Sequence, residues 1–365
     1  MAAFKIVFLD DDPVIRIVRL VLQNAERDPW VADFFAPEDV DLAPLCDAAR
    51  GLRSSDGVAV ELASTARPAS EAHIVIFRRG TVTQDTLDAN PQLRLIQRLG
   101  ERPEGIDLEA AAARGVPVSC LPRRTLGNTA EHAMLLMLAL AKRLLPADQA
   151  VRSGRYDAAR VHPIEGVAYN WPGMTQVGGL NGKTLGLIGL GELGTLVAKL
   201  AKAFGMRVLY TKRHRASAAD EGALGVEYAA LPELLALSDF VSLHAANLPE
   251  NDGMIDAQVL AAMGQGAFFI NTSRGRLVDE DALYSALVEG RIAGAGLDVH
   301  RIEPRPAGDR FSALPNVVMT PHIAGGERSG LLDEFRVIID NCHAALRGDA
   351  PSYRIDAARR GDPLS

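Results

Sequence analysis

Several features that would send this 365-residue chain into a specialised class are absent. Cysteine is scarce: Cys46, Cys120 and Cys342 lie far apart, in no CxxC spacing. A disulfide framework and a cysteine metal cluster are therefore not expected, and no metal site is assigned. A long apolar run is also missing. The longest, Ala133–Ala141, is closed by His132 and Lys142, well short of the ~20 residues that cross a bilayer. The N-terminus turns acidic at Asp10–Asp12 before any secretory-type apolar segment develops, so no signal peptide is expected. Excess positive charge is lacking too: 39 Lys and Arg against 46 Asp and Glu leave a net charge of -7. That balance argues against nucleic-acid or anionic-membrane partners. Sparse thiols and no export signal point to the cytoplasm.

One absence settles a tempting alternative. Phe8-Leu-Asp-Asp-Asp-Pro13 resembles the acidic opening of a phosphorylation receiver domain, which also needs a lysine at the end of a later strand. No lysine occurs between Lys5 and Lys142. The aspartates are read instead as a strand-to-helix loop capping a helix that starts at Pro13.

Along the chain, β-rich runs alternate with helical spacing. Phe4–Leu9, Ile74–Phe77, Leu93–Leu99 and Val116–Cys120 read as strands, with helices over Pro13–Asn24, Val40–Arg50 and Leu108–Arg114. Thr129–Leu145 is apolar on nearly every face and is expected to be a helix buried all round. His162–Gly179, with Tyr169 and Trp171, reads as an ordered loop. A second series follows, with strands at Thr184–Leu190, Arg207–Tyr210, Phe240–His244, Ala267–Asn271, Ala295–Val299 and Val317–Thr320. Its helices are Leu193–Phe204, Leu231–Leu237, Asp256–Met263 and Glu280–Glu289. Such alternation predicts an α/β protein with parallel sheets, and the six later strands suit two mononucleotide-binding halves.

Chemistry concentrates in that second series. Gly189-Leu-Gly191-Glu-Leu-Gly194 sits between a strand and an apolar-periodic helix. There Gly189 permits the turn, Gly191 admits a pyrophosphate to the backbone, and Gly194 lets the helix pack close. The next strand of a site preferring NAD ends in Asp or Glu, which holds the ribose hydroxyls. Here it ends Tyr210-Thr211-Lys212-Arg213-His214-Arg215, without a carboxylate. Cations there suit a 2′-phosphate, so NADP(H) is favoured over NAD(H). Arg274, Asp298, Glu303 and His322 each follow the end of a later strand, and His244 ends another.

Taken in order, Gly189-x-Gly-x-x-Gly194, Asn271-Thr-Ser-Arg274-Gly, Gly296-Leu-Asp298-Val, Glu303-Pro and Thr320-Pro-His322-Ile resemble the D-isomer-specific 2-hydroxyacid dehydrogenase family. The resemblance runs from about Leu93 to Gly326. It implies two Rossmann-like domains with a cleft between them: a flavodoxin-like substrate domain from residues 1–126 and 326–365, and a dinucleotide-binding domain over 127–325. It also implies a homodimer acting on a small 2-oxo or 2-hydroxy acid. His322 would be the acid and base, Glu303 would hold its imidazole and favour the charged form, and Arg274 would bind the substrate carboxylate. Asp298 would orient the nicotinamide carboxamide. Glu192, Leu193, Thr272 and Gly325 would join the glycines, Thr211, Lys212, Arg213, His244, Arg274 and His322 around the cofactor. A nucleotide-sensing, corepressor-like protein with little turnover stays open as an alternative, whereas formate oxidation is opposed by Glu303 where that branch carries Gln. The sequence departs from the family at Gly100-Glu-Arg-Pro-Glu-Gly-Ile106-Asp107. Its proline cannot donate an amide, and its glutamates oppose an anion unless Arg102 offsets them.

Overall fold

A computed structural model describes residues 4–36, 38–64, 68–154, 170 and 172–355. The chain divides into two compact units, Met1–Thr125 with Gly326–Ser365, and Leu126–Gly325.

In the first unit, β1 (Lys5–Phe8), β2 (Ala59–Leu62), β3 (Ile74–Phe77), β4 (Leu95–Leu99) and β5 (Val118–Leu121) form a parallel sheet in the order β2-β1-β3-β4-β5. The short strand Arg354–Ile355 adds antiparallel to β5. This is the flavodoxin-like order. Both β3 and β4 are buried throughout, as a strand covered on both faces must be, which explains the unbroken apolar run of β3; β4 also buries Gln97 and Arg98. The acidic loop is occupied as expected: Asp12 accepts from the Val14 amide at 3.0 Å and caps Pro13–Leu22. Asp10 accepts the amides of Arg78, Arg79 and Gly80, and Asp11 pairs with Arg19 at 2.7 Å. β2 and the helices Pro29–Phe35 and Gln84–Asp88 were not anticipated.

The C-terminal helix Leu331–Arg347 returns to this unit, burying Leu331, Phe335, Ile338, Ile339 and Cys342. Glu334, only 2% exposed, accepts from the Thr125 amide at 3.1 Å and so ties the first part of the unit to its last.

In the second unit seven strands run parallel. They are β6 (Thr184–Ile188), β7 (Arg207–Thr211), β8 (Glu227–Tyr228), β9 (Phe240–Leu243), β10 (Phe268–Asn271), β11 (Gly294–Leu297) and β12 (Val317–Met319), in the order β8-β7-β6-β9-β10-β11-β12. The sheet thus has one strand more than expected, the two-residue β8. The order in which strands are added reverses between β6 and β9, the switch point at which α/β sheets bind ligands.

The apolar helix runs over Thr125–Ala141, earlier than expected, and stops because Arg143 adopts φ 50. A second helix, Leu144–Ser153, follows. The apolar helix is not buried all round: Ala133, Leu136, Met137 and Leu140 face the core, but Leu135 is 47% exposed. The buried face lies directly over β11. A Cβ on Gly296 would stand 2.9 Å from Leu136 Cβ and 3.1 Å from Ile270 Cδ1. His162–Tyr169 and Trp171, part of the expected ordered loop, lie outside the described residues.

Two stability effects follow. Gly296→Ala should overpack this contact and lower unfolding free energy by ~1–3 kcal/mol in urea titrations; an unchanged midpoint would show that helix and strand are not tightly opposed. Burial raises the Glu334 carboxyl above its ordinary range, and the Thr125 and Arg124 amides and Arg123 only partly oppose this. Its folded pKa therefore lies above its unfolded one, so ionisation weakens the native state as pH rises. Glu334→Gln keeps an acceptor for Thr125, and its stability relative to wild type should improve from pH 4 to pH 8.

Candidate active site

The ends of six neighbouring strands, β7-β6-β9-β10-β11-β12, carry all the expected site residues of the second unit. At β6, Gly189 takes φ 106 and a Cβ there would lie 2.5 Å from the His244 carbonyl oxygen. A Cβ on Gly194 would lie 2.4 Å from the Gly189 oxygen. These two glycines are required by the chain itself. Gly191 is different: nothing stands within 4 Å of its would-be Cβ. It is the N-cap of the helix Glu192–Ala203, with no side chain capping the first-turn amides. Open space over an uncapped helix N-terminus suits a phosphate. Glu192 opens that helix, while the Leu193 side chain packs on the core and leaves its backbone at the turn.

Thr211 ends β7, and its carbonyl accepts from the Gly189 amide at 2.9 Å. Lys212 then reaches back across the glycine turn, its Nζ 3.4 Å from the Leu190 carbonyl. Arg213 is exposed and stands 3.6 Å from Glu250. Arg215 is held by Glu221 at 2.8 Å and lies over the Tyr228 ring. This partition leaves Lys212 and Arg213 beside the dinucleotide turn.

Two polar atoms near the switch point are buried without a partner: Thr272 Oγ1, after β10, and His244 Nδ1, after β9. His244 Nε2 is 2.9 Å from Ser242 Oγ, and burial pushes the imidazole pKa down to about 4, so the ring is neutral at physiological pH. Unsatisfied buried polar atoms call for a ligand or water. With the Gly191 opening, they fit a dinucleotide cofactor.

Arg274 follows β10 on a turn closed by Asn271, whose Nδ2 donates to the Arg274 carbonyl at 3.1 Å. The Arg274 side chain is exposed, and its Nη1 donates to the Ser273 carbonyl at 2.6 Å. Next to it Gly275 permits an extreme approach, since a Cβ there would fall 2.0 Å from the His300 carbonyl carbon. This contact joins the Arg274 turn to the segment after β11.

That segment presents Glu303, preceding a cis proline. Its Oε1 accepts from the His300 amide at 2.8 Å and its Oε2 lies 2.8 Å from His322 Nδ1. Burial alone would raise the Glu303 carboxyl. The His300 amide and the His322 ring outweigh it and hold the group below the usual carboxylate range. His322, 43% exposed, follows β12 at φ 58. A donor–acceptor pair is thus fixed through Nδ1, and Nε2 is the nitrogen left for chemistry.

Asp298, which the resemblance would have orient the nicotinamide carboxamide, is 0% exposed, and both oxygens are engaged within the unit. Oδ1 accepts from Thr320 Oγ1 at 2.6 Å and the Ile323 amide at 2.9 Å, and Oδ2 from the Ala324 amide at 3.0 Å. These bonds fix the turn that carries His322. The Gly325 carbonyl ends this turn, accepting from Asn128 Nδ2 at 3.3 Å. Two histidines that the sequence reading passed over also reach the turn. His132 Nε2 lies 2.9 Å from Thr320 Oγ1, and His300 Nε2 lies 3.0 Å from the Thr320 carbonyl. Neither stands in a motif; only their proximity in sequence to Asp298 or to the apolar helix could have drawn attention.

In the first unit, the unusual Gly100–Asp107 stretch is pinned by backbone bonds between Val82 and Gly105 and between Asp107 and Val82. Arg98, 8% exposed, supports it from below by donating to the Arg102 carbonyl, with Glu104 at 3.5 Å. Arg98, rather than Arg102 alone, is the buried cation there. Among the described residues no His, Cys, Asp and Glu cluster forms a metal site, and no helix is long and apolar enough to cross a membrane.

Comparison with known proteins agrees with this geometry. Residues 134–324 match the model of the D-isomer specific 2-hydroxyacid dehydrogenase NAD binding domain. A glyoxylate reductase from Korarchaeum cryptofilum is 38% identical over 270 residues, covering 74% of this chain and 78% of that protein. A D-3-phosphoglycerate dehydrogenase from Mycobacterium bovis is 35% identical over 319 residues, 87% of this chain and 57% of that one. Among solved structures, the TT0316 protein from Thermus thermophilus superposes with a TM-score of 0.54 at 30% identity, covering 96% of this chain and all of the other. The chain therefore belongs to the D-isomer specific 2-hydroxyacid dehydrogenase family, as an oxidoreductase of 2-oxo and 2-hydroxy acids that uses a nicotinamide dinucleotide.

Proposed function

We propose that the protein interconverts a small 2-oxo acid and its D-2-hydroxy acid with NADP(H), using His322 as the acid and base. The observation that carries this reading is the 2.8 Å contact between His322 Nδ1 and Glu303 Oε2, on a turn whose backbone is locked from behind. The bound nicotinamide supplies or accepts the hydride. The chain's own tasks are to hold the acid, move one proton and stabilise charge on oxygen. His322 Nε2 donates a proton to the ketone oxygen during reduction and recovers it in oxidation. Glu303, an ionised acceptor at Nδ1, fixes the tautomer and stabilises the imidazolium. Arg274 binds the substrate carboxylate with its planar, bidentate guanidinium.

The preference for NADP(H) is supported by Lys212 lying across the glycine turn, by the exposed Arg213, and by the absence of a carboxylate in Tyr210–Arg215. The Arg213–Glu250 contact is long and solvent-exposed, so Glu250 competes weakly with a phosphate. For the substrate, the similarity to the Korarchaeum relative, 38% identical and named for glyoxylate, supports a small mono-anion of that kind. Homodimerisation is supported by exposed Leu135, Leu144, Leu145 and Val151 on two successive helices. Cys46, Cys120 and Cys342 form no disulfide, which accords with a reducing cytoplasm.

His322→Asn should fold with an unchanged melting midpoint and bind NADPH. With glyoxylate, its kcat should fall ~10²–10⁴-fold. Turnover near the wild-type rate would remove His322 from the mechanism. Lys212→Ala/Arg213→Ala should raise the KM for NADPH by about tenfold or more while leaving that for NADH nearly unchanged. Equal effects on both cofactors, or a wild-type preference for NADH, would refute the assignment.

A further inference from the structure

The register of the helix Thr125–Ala141 on β11 brings one more ionisable side chain to the turn that carries His322. Leu136 lies over Gly296. Along a strand, positions two apart share a face and stand ~6.7 Å apart. Along a helix, positions four apart share a face and stand ~6 Å apart. One turn before Leu136 is His132, and two residues beyond Gly296 is Asp298. The matching steps make them meet: His132 Nε2 lies 3.5 Å from Asp298 Oδ1 and 2.9 Å from Thr320 Oγ1.

The available hydrogens fix the roles within this cluster. Thr320 has one hydroxyl hydrogen, directed at Asp298 Oδ1 over 2.6 Å. Asp298 also accepts two backbone amides, an arrangement that suits an ionised carboxylate. Toward His132 the Thr320 oxygen can then only accept, so His132 Nε2 carries the proton. The Thr320 carbonyl can likewise only accept, so His300 Nε2 carries one too. Thr320 is therefore clamped by two imidazole N–H groups and one carboxylate. Two residues on, His322 takes φ 58, a left-handed conformation that residues with a side chain adopt only under constraint. Its amide is bonded to the Asp298 carbonyl at 2.8 Å, and the next two amides go to the Asp298 carboxylate.

We propose that His132 is a positioning residue for the reaction. Its Nε2–H orients the Thr320 hydroxyl onto Asp298 and supports that fully buried charge, so the turn holds His322 against Glu303. This rests on the reading of His322 as the acid and base. Without the donor, the Thr320 hydroxyl is free to rotate and the Asp298 carboxylate loses its basic neighbour. The turn then relaxes, and the imidazole leaves its working orientation.

The test compares His132→Ala, His132→Gln, Thr320→Val and His132→Ala/Thr320→Val in the full chain, with glyoxylate and NADPH, beside His322→Asn. His132→Ala should lose about tenfold to a hundredfold in kcat, the scale of a slightly misplaced catalytic group. The KM for NADPH should stay within about twofold, since the cofactor turn is untouched. Gln, whose amide can donate to Thr320, should recover most of the loss. A purely structural role would not produce that recovery. Thr320→Val should reproduce the defect, and the double variant should be no worse than either single one. Wild-type kcat in His132→Ala, an equal loss in His132→Gln, or additive losses in the double variant would each overturn the proposal. Should His132→Ala fail to fold, His132→Gln and Thr320→Val decide it: wild-type kcat in Thr320→Val, or a loss in His132→Gln as deep as in Thr320→Val, refutes it. If His322→Asn itself stays active, the reading of the site fails. If His322→Asn is inactive and His132→Ala is not impaired, only the positioning role fails.

Discussion

Asp298 is a carboxylate with no exposed surface, and the geometry of the turn carrying His322 depends on how that group is satisfied. An isolated ion in a protein interior is strongly disfavoured; here three donors from one turn and a histidine from a neighbouring helix surround it. The same contacts that make the charge tolerable dictate the path of the backbone from Thr320 to Ala324. His322 therefore takes its position from a buried electrostatic requirement, not from preferences of its own. Rigidity comes from behind the turn, while the imidazole itself remains 43% exposed.

A second constraint lies in close backbone approach. At Gly275 and Gly296 an added methyl group would strike the His300 carbonyl and the Leu136 side chain, respectively. The first contact joins the Arg274 turn to the Glu303 segment; the second sets the helix close enough for His132 to reach Asp298. Gly191 contrasts with both, because the space over it is empty of protein. Glycines of two kinds thus coexist in one unit: some are needed for packing, and at others, Gly191 among them, a side chain would meet no neighbour.

Much of this was legible in the sequence, for identifiable reasons. Strands such as Ile74–Phe77 and Phe240–Leu243 are buried on both faces, so their apolar runs stood out. Asp12 before Pro13 announced its helix by capping chemistry. β2 escaped notice because Ala59–Leu62 is only half-buried, and β8 because two residues carry no period. The helix break at Arg143 was invisible, since a left-handed arginine leaves no compositional mark. Arg274, Glu303 and His322 drew attention because each sits in a local motif. The connections among His132, Asp298 and Thr320 join residues 22 to 188 positions apart, and no local pattern records them. Asp298 shows the limit most clearly: its position after a strand drew attention to it, but only the structure shows the donors around it.

The division between buried support and exposed chemistry also bears on what such a site can vary. Substitution at Arg213 changes solvent-facing charge without disturbing a packed contact. Substitution at Asp298, Thr320 or His132 removes a partner from a closed hydrogen-bond set and leaves another group unsatisfied in the interior. The turn carrying His322 is thus coupled to the core through Asp298, whereas the charge at Arg213 is not.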